Sequence, residues 1–421
     1  MNEDRGQGSG VEHQTSGVKR QDLATGAELV EASGAPPLRQ AQGAADAVAA
    51  QFLAAEAQTT MIADEKRYGL SQYQLMWRKF KRSRSAVVGG SLVLLFYLLV
   101  LFANFVAPFD VNHRWVEYLY APPQGLHFES GVGLFVYGME RKTDLDTLLT
   151  TYKPDPKVRI PIHFLVQGDE YQLFGIIPAD RHLFGPADLK QPIYFFGSDR
   201  QGRDMLSRIM IGSQMSLTIG LLGVLMSLMI GSVLGVASGY YGGRVDNLMQ
   251  RTIEVIRSFP SVPLWMALTA ALPQHWPPER VYFAITIILS LIGWTWLARQ
   301  LRGKVLALRE EEFVLAAQLA GADDRRVIFK HLIPAVFGHI IVIASLAMPG
   351  MILAESALSF LNLGLRPPLV SWGVLLQEAQ NLESVRHFPW LLIPAFFISA
   401  SVLAFNFFGD GLRDAADPYS R

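Results

Sequence analysis

Long uncharged runs dominate the chain and alternate with short, strongly charged ones. Between Arg84 and Asp110 there is no Asp, Glu, Lys or Arg, and Val87 to Val106 is mostly apolar. At about 1.5 Å per residue this run reaches about 30 Å, the thickness of a bilayer's hydrocarbon core, which predicts a first membrane span over 85–107. A second uncharged stretch, from Arg208 to Arg244, predicts span two at 213–235. The glycines of 239–243 then predict a tight turn. Span three is expected over 248–272. Arg251, Glu254 and Arg257 recur there at three-residue intervals, so one flank faces water or protein, and Pro260 and Pro263 are expected to bend it. Spans four (282–297, closing on Trp294 and Trp296), five (334–354) and six (390–408) complete the set. The expected fold is an all-α polytopic membrane protein with six transmembrane helices.

The segment 108–205 breaks the pattern, because it is too polar for a bilayer. It contains strand-like runs, 160–166 and 171–177, separated by Pro, Gly and Asp. It predicts a small β-containing extracytoplasmic insert between helices 1 and 2. Residues 1–60, rich in Ala, Gly, Gln and Ser with no early apolar core, read as a disordered cytoplasmic tail rather than a signal peptide. Residues 61–84 read as a cytoplasmic pre-membrane segment, and 206–417 as the core that holds helices 2–6.

Charge sets the expected orientation. Lys79, Lys81, Arg82 and Arg84 precede span one, and Arg299, Arg302, Lys304, Arg309, Arg325, Arg326 and Lys330 lie between spans four and five. The positive-inside rule assigns both groups to the cytoplasm. An even number of spans separates them, so the two assignments agree, and both termini are expected inside.

Composition adds exclusions. The chain has 50% hydrophobic and 18% charged residues, and its formal net charge of zero gives no basic surplus for nucleic acid. Without cysteine, disulfides, iron–sulfur clusters and thiolate catalysis are excluded. The sequence has no phosphate-binding Gly-x-x-x-x-Gly-Lys loop and no His-Glu-x-x-His, so no ATPase or metalloenzyme site is expected. Scattered histidines such as His339 read as polar packing.

The most informative soluble stretch is 310–322. Its residues are good helix formers, and Glu310, Glu311 and Glu312 fall in the first turn, where the helix dipole favours acids. Phe313, Ala317 and Ala320 share a face, on which small residues admit a partner backbone. Gly321 is expected to end the helix, and Asp323 and Asp324 to cap the next. Such a helix either docks a soluble motor or lies on the membrane surface. The Glu triplet disfavours an anionic leaflet.

Phe313–Pro334, with Ala316, Ala317, Gly321 and the closing His331-Leu332-Ile333-Pro334, resembles the coupling loop of the inner-membrane permease subunits of bacterial dipeptide, oligopeptide and nickel ABC importers. Leu315 stands where the broad importer consensus carries Glu. Gly197–Arg208, Gly239–Asp246 and Glu355–Gly364 with Pro367, Pro368, Ser371, Trp372 and Gly373 resemble further signatures of the same family. The resemblance covers about 71–417.

It implies a second homologous permease subunit, two cytoplasmic ATPase subunits that bind the ATP, and an extracytoplasmic solute-binding protein. It implies no cofactor on this chain itself, and a place in the bacterial inner membrane. Glu312, Phe313, Ala316, Ala317 and Gly321 are the expected ATPase contacts. Asp199, Asp204 and Glu355 are candidates either for bracing helix ends or for pathway and gating roles. A secondary transporter would instead favour paired mid-membrane ionisable groups and inverted repeats. A non-transporting membrane scaffold is the remaining alternative.

Overall fold

The computed structural model describes residues 72–143 and 150–416. The tail expected over 1–60, and residues 61–71 of the pre-membrane segment, lie outside the described residues. Helix α1 (Gln72–Arg82) ends at Ser83, whose hydroxyl oxygen accepts from the Ala86 amide at 3.4 Å and so starts α2 (Arg84–Leu101). After α3 (Ala103–Val106) the chain enters the sheet: β1 (His127–Glu129), β2 (Gly133–Thr143), β3 (Thr150–Leu173) and β4 (Ile177–Pro186). These strands form an antiparallel meander in chain order. Val136, Ile160 and Ile162 pack with Phe109 and Ile193 into a small core of its own.

The two strand-like runs expected in the insert fall mainly within one strand. The Gly168–Asp169 step, read as a turn signal, is absorbed as a register shift between Gln167 and Tyr171. The chain reverses later, at Phe174 and Gly175, both with positive φ (57° and 74°).

The helical body consists of α4 (Met205–Tyr241), α5 (Gly243–Ser258), α6 (Ser261–Ala270), α7 (Pro278–Leu308), α8 (Glu312–Leu319), α9 (Asp324–Arg326), α10 (Ile333–Phe360), α11 (Trp372–Leu376), α12 (Leu382–His387) and α13 (Ile393–Ala416). One main core, including Phe96, Leu217, Ile219, Leu289, Ile352 and Phe405, joins α2, α4, α7, α10 and α13.

Among the described residues, five helical segments are long and apolar enough to cross a bilayer: 84–101, 205–241, 278–308, 324–360 and 389–416. This is one fewer than the sequence pattern predicts. The expected third span divides into α5 and α6 because Phe259 is extended (ψ 134°) and Pro260 has no amide hydrogen to continue the ladder. Pro263 bends nothing, since it sits in the first turn of α6, where an amide donor is spare. The apolar α6 has 10 residues and reaches only about 15 Å.

The turn expected at 239–243 is also narrower than predicted. Helix α4 continues through Gly239 and breaks only at Gly242 (φ 62°). Gly239 belongs to a ladder, Gly231, Gly235 and Gly239, on which α7 lies in close contact. A Cβ added at Gly235 would stand 2.5 Å from the Ala298 carbonyl oxygen, and one at Gly239 would stand 2.9 Å from that of Arg302. Small residues four apart let two backbones meet, as they do between membrane helices. Contacts that advance together, 231 with 297 and 239 with 305, make α4 and α7 parallel. Helix α10 is antiparallel to them, with Gly220 against Ile352 and Ser216 against Glu355.

Candidate functional site

At the end of the bundle where α4 terminates, α8 forms a short helix with one inward anchor. Val314 is fully buried in a cluster with Val236, Leu301, Val305, Val327 and Val336. The rest of its apolar surface faces out: Phe313 is 41%, Leu315 48% and Leu319 90% exposed. Ala316 and Ala320 are exposed and Ala317 is half-buried. The predicted stop is observed. Gly321 has φ 82°, its amide donates to the Gln318 carbonyl at 2.9 Å, and the Ala322 amide donates to that of Ala317 at 3.0 Å. Asp323 caps α9 by accepting from the Arg326 amide at 3.1 Å. A π turn over Val327–Leu332 then precedes Pro334, whose missing amide leaves the Lys330 carbonyl without its usual helical donor.

Tyr240 and Gln318, together with Asp324, expected as a cap, tie this segment to α4. The Tyr240 hydroxyl donates to Asp324 Oδ1 at 2.8 Å, and Gln318 Nε2 donates to the Tyr240 oxygen at 3.3 Å. Together with Tyr241, Arg309 and Glu310 they line a cavity of about 310 Å3. Beside it, Asp246 on α5 accepts from Ser238 Oγ at 2.6 Å and from both Nε and Nη2 of Arg302 at 2.5 Å. Two-pronged pairing of this kind joins α5 to α7. The only sequence signal was the spacing of Asp246 after its Gly-Tyr-Tyr-Gly-Gly run.

The Arg302 bonds hold the Asp246 carboxyl below the usual carboxylate range. A depressed carboxyl contributes stability that is fully present above the unfolded pKa, about 3.9, and is lost as pH falls through the lower folded value. Asp246→Asn is therefore expected to cost about 1 kcal/mol at pH 7. The gap to the wild type, measured by unfolding the solubilised subunit, is expected to close below about pH 4. A gap constant down to pH 3 would remove Asp246 from the account.

The opposite end of the bundle holds two buried carboxylate networks. Asp199 accepts through Oδ1 from the amides of Gln201 (2.8 Å) and Arg203 (3.0 Å), and through Oδ2 from Arg203 Nε (2.6 Å) and Arg208 Nη1. Glu378, which follows α11, lies 3.5 Å from Arg200 Nε and 4.0 Å from Arg203 Nη2, and burial pushes its carboxyl up. Asp204 caps α4, accepting from the Ser207 amide and hydroxyl at 2.7 Å each, while burial pushes its carboxyl up to about 6. Gly197 and Gly202 have positive φ (75° and 74°). At Gly202 a Cβ would stand 2.0 Å from the Trp115 carbonyl oxygen, so glycine is required twice over.

Glu355 on α10 is the centre of the second network and is fully buried. It accepts from Ser216 on α4 (3.2 Å), Ser356 (3.3 Å) and Ser359 (2.7 Å). Ser216 in turn accepts from the Trp372 amide at 3.0 Å, which fixes the start of α11 against α4. Asp199, Asp204 and Glu355 therefore lie at one end of the molecule, away from α8. Asp199 and Asp204 share a neighbourhood, whereas Glu355 has its own. Among the described residues no three His, Cys, Asp or Glu side chains are grouped to hold a metal.

Comparison with known proteins fits this layout. Residues 231–421 match the model of the binding-protein-dependent transport system inner membrane component, and residues 71–123 match the N-terminal TM domain of oligopeptide transport permease C. The oligopeptide transport system permease protein OppC of Haemophilus influenzae is 44% identical over 58% of this chain and 76% of its own length. The chain belongs to the family of binding-protein-dependent transport system inner membrane components. Within that family, the Escherichia coli OppC is 41% identical over 61% of this chain and 83% of its own. The dipeptide transport system permease protein DppC of Lactococcus lactis is 34% identical over 83% of this chain and 91% of its own. Membership makes the chain the membrane permease subunit of an ABC-type transport system, with transport rather than catalysis as its task.

Proposed function

We propose that this chain is one of two homologous permease subunits forming a single pathway in an ATP-driven peptide importer of the bacterial inner membrane. An extracytoplasmic solute-binding protein delivers the peptide, and two cytoplasmic ATPase subunits bind and hydrolyse the ATP. The relatives belong to oligopeptide and dipeptide transport systems, which supports the solute class. The insert faces outward and α8 inward, as the basic segments before α2 and after α7 favour. Helices α5 and α6 together make the sixth crossing, the break at Phe259–Pro260 lying within the membrane.

The observation that carries the reading is the outward apolar surface of α8. Three large apolar side chains project from a helix whose one buried residue, Val314, anchors it to α4 and α7. A groove on one ATPase subunit receives Glu312, Phe313, Ala316, Ala317 and Gly321. Closure on ATP shifts the permease only in so far as that contact prefers one conformation. Asp199, Asp204 and Glu355 enter as gating residues that hold the outer helix ends together, rather than as groups touching solute.

Ala317→Lys is expected to abolish co-purification of the ATPase subunits and to cut ATP-dependent peptide uptake into proteoliposomes at least about tenfold. Because Ala317 is half-buried, Leu319→Lys at the fully outward position provides a variant that leaves folding intact. Normal assembly and uptake in both would sink the contact. Peptide uptake that persists without ATP would sink the importer reading itself.

A further inference from the structure

A small cleft at the insert end of the bundle is not used by any network described above. Because α7 runs parallel to α4 and α10 antiparallel, the loop before α7 and the segment after α10 lie together at the end where α4 begins. Between them is a cavity of about 140 Å3, lined among others by Leu272, Trp276, Leu363 and Pro367, with Gln274 and Arg366 as polar members. Arg366 Nη1 donates to Gln274 Oε1 at 2.8 Å. Among the described residues that amide is the guanidinium's one hydrogen-bond partner, and no carboxylate lies within 4.0 Å of it.

This sets Arg366 apart from the arginines of the Asp199–Glu378 cluster at the same end of the bundle. Arg203 and Arg208 are neutralised by Asp199, and Arg200 by Glu378. Arg366 is half-buried, permanently charged and held by one neutral bond, so most of its planar fork of donors is left over. Such a fork matches a carboxylate, and an apolar wall of Trp, Leu and Pro beside it matches a small side chain attached to the same carbon. The volume is well below the about 300–1,000 Å3 of sites that enclose a whole drug-sized ligand, so the cleft takes one end of a longer molecule.

We propose that Arg366 and the cleft around it bind the C-terminal residue of a peptide through its free α-carboxylate as the peptide enters the pathway. This rests on the peptide-import reading above, and it adds an end-specific contact made by the permease itself. Gln274 acts by holding the guanidinium across the mouth of the cleft, its amide oxygen fixing one nitrogen while the others face the ligand.

The test uses the complete transporter, with ATPase subunits and binding protein, in proteoliposomes. Uptake of trialanine is compared with uptake of its C-terminal amide. The wild type is expected to prefer the free acid. Arg366→Ala is expected to lower the acid-to-amide ratio about tenfold, leaving amide uptake near its wild-type rate, and Arg366→Lys to restore part of the ratio. The binding protein is the same throughout, so the change in ratio between permease variants isolates the permease's contribution. Equal loss of acid and amide uptake would overturn the proposal, since it would mean that Arg366 braces the loops or pairs with an acidic residue of a partner subunit. A wild type with no preference for the free acid, or an Arg366→Ala ratio equal to that of the wild type, would overturn it as well. Absence of any ATP-dependent uptake of either peptide by the wild type would instead bring down the import reading.

Discussion

Asp199→Asn is expected to destabilise the protein by about 3–5 kcal/mol, because it strips two buried arginines of their shared counter-charge. Arg203 and Arg208 are 7% and 3% exposed at their side chains, too little for water to replace the lost carboxylate. The amide that replaces it also turns a donor group toward guanidinium donors, which leaves further polar atoms unmatched. Denaturant unfolding of the solubilised subunit measures the cost, and a double variant with Arg208→Met is expected to recover part of it. A loss below about 1 kcal/mol, the size of a surface pair, would mean that solvent reaches the network. Uptake is expected to fall with it, since this network links the loop leading into α4 to Glu378 and, through the Ser198 carbonyl and Trp390 Nε1 (3.0 Å), to the segment that starts α13.

Gly235→Val has the second large effect. Its Cβ would overlap the Ala298 backbone, 2.5 Å away at the oxygen and 2.8 Å at Cα, and backbone cannot swing aside as a side chain does. Overpacking in a well-filled core typically costs about 1–3 kcal/mol, and two clashing backbones put this site at the upper end or beyond. The expected readout is loss of folded, membrane-inserted protein by detergent-solubility and size-exclusion profile. Gly303 on α7 supplies the control, because a Cβ there meets nothing within 4 Å. Gly303→Ala is expected to be neutral or to stabilise by about 0.5–1 kcal/mol through helix propensity. If both substitutions behave alike, close approach of α4 and α7 is not what Gly235 provides.

These two residues also mark what the sequence made legible. The long apolar runs predict the membrane helices because hydrocarbon thickness fixes their length, and helix α8 and its glycine stop are read from local rules that tertiary packing does not override. Span three is one apolar run in the sequence but two helices in the structure, since hydropathy averages over a proline, whereas the backbone ladder breaks at it. The ladder of Gly231, Gly235 and Gly239 was partly read as turn material, because glycine serves both as a bend and as a contact point and only the partner helix decides which. Asp199 was singled out by its motif, but its dependence on Glu378, far along the chain, and the link from Tyr240 to Asp324 could not be read locally. Pairings of that separation are set by how the helices stack.

Helix α4 runs unbroken for 37 residues, about 55 Å, well beyond the thickness of a hydrocarbon core. One end is fastened by the Asp204 cap beside the Asp199 network, and the other by Tyr240 to the α8–α9 segment. Such a rod acts as a lever that needs no chain of side-chain rearrangements along its length. A tilt of about 10° about the α8 end would displace the other end by about 10 Å, so a small rotation at one face of the bundle is geometrically a large excursion at the other.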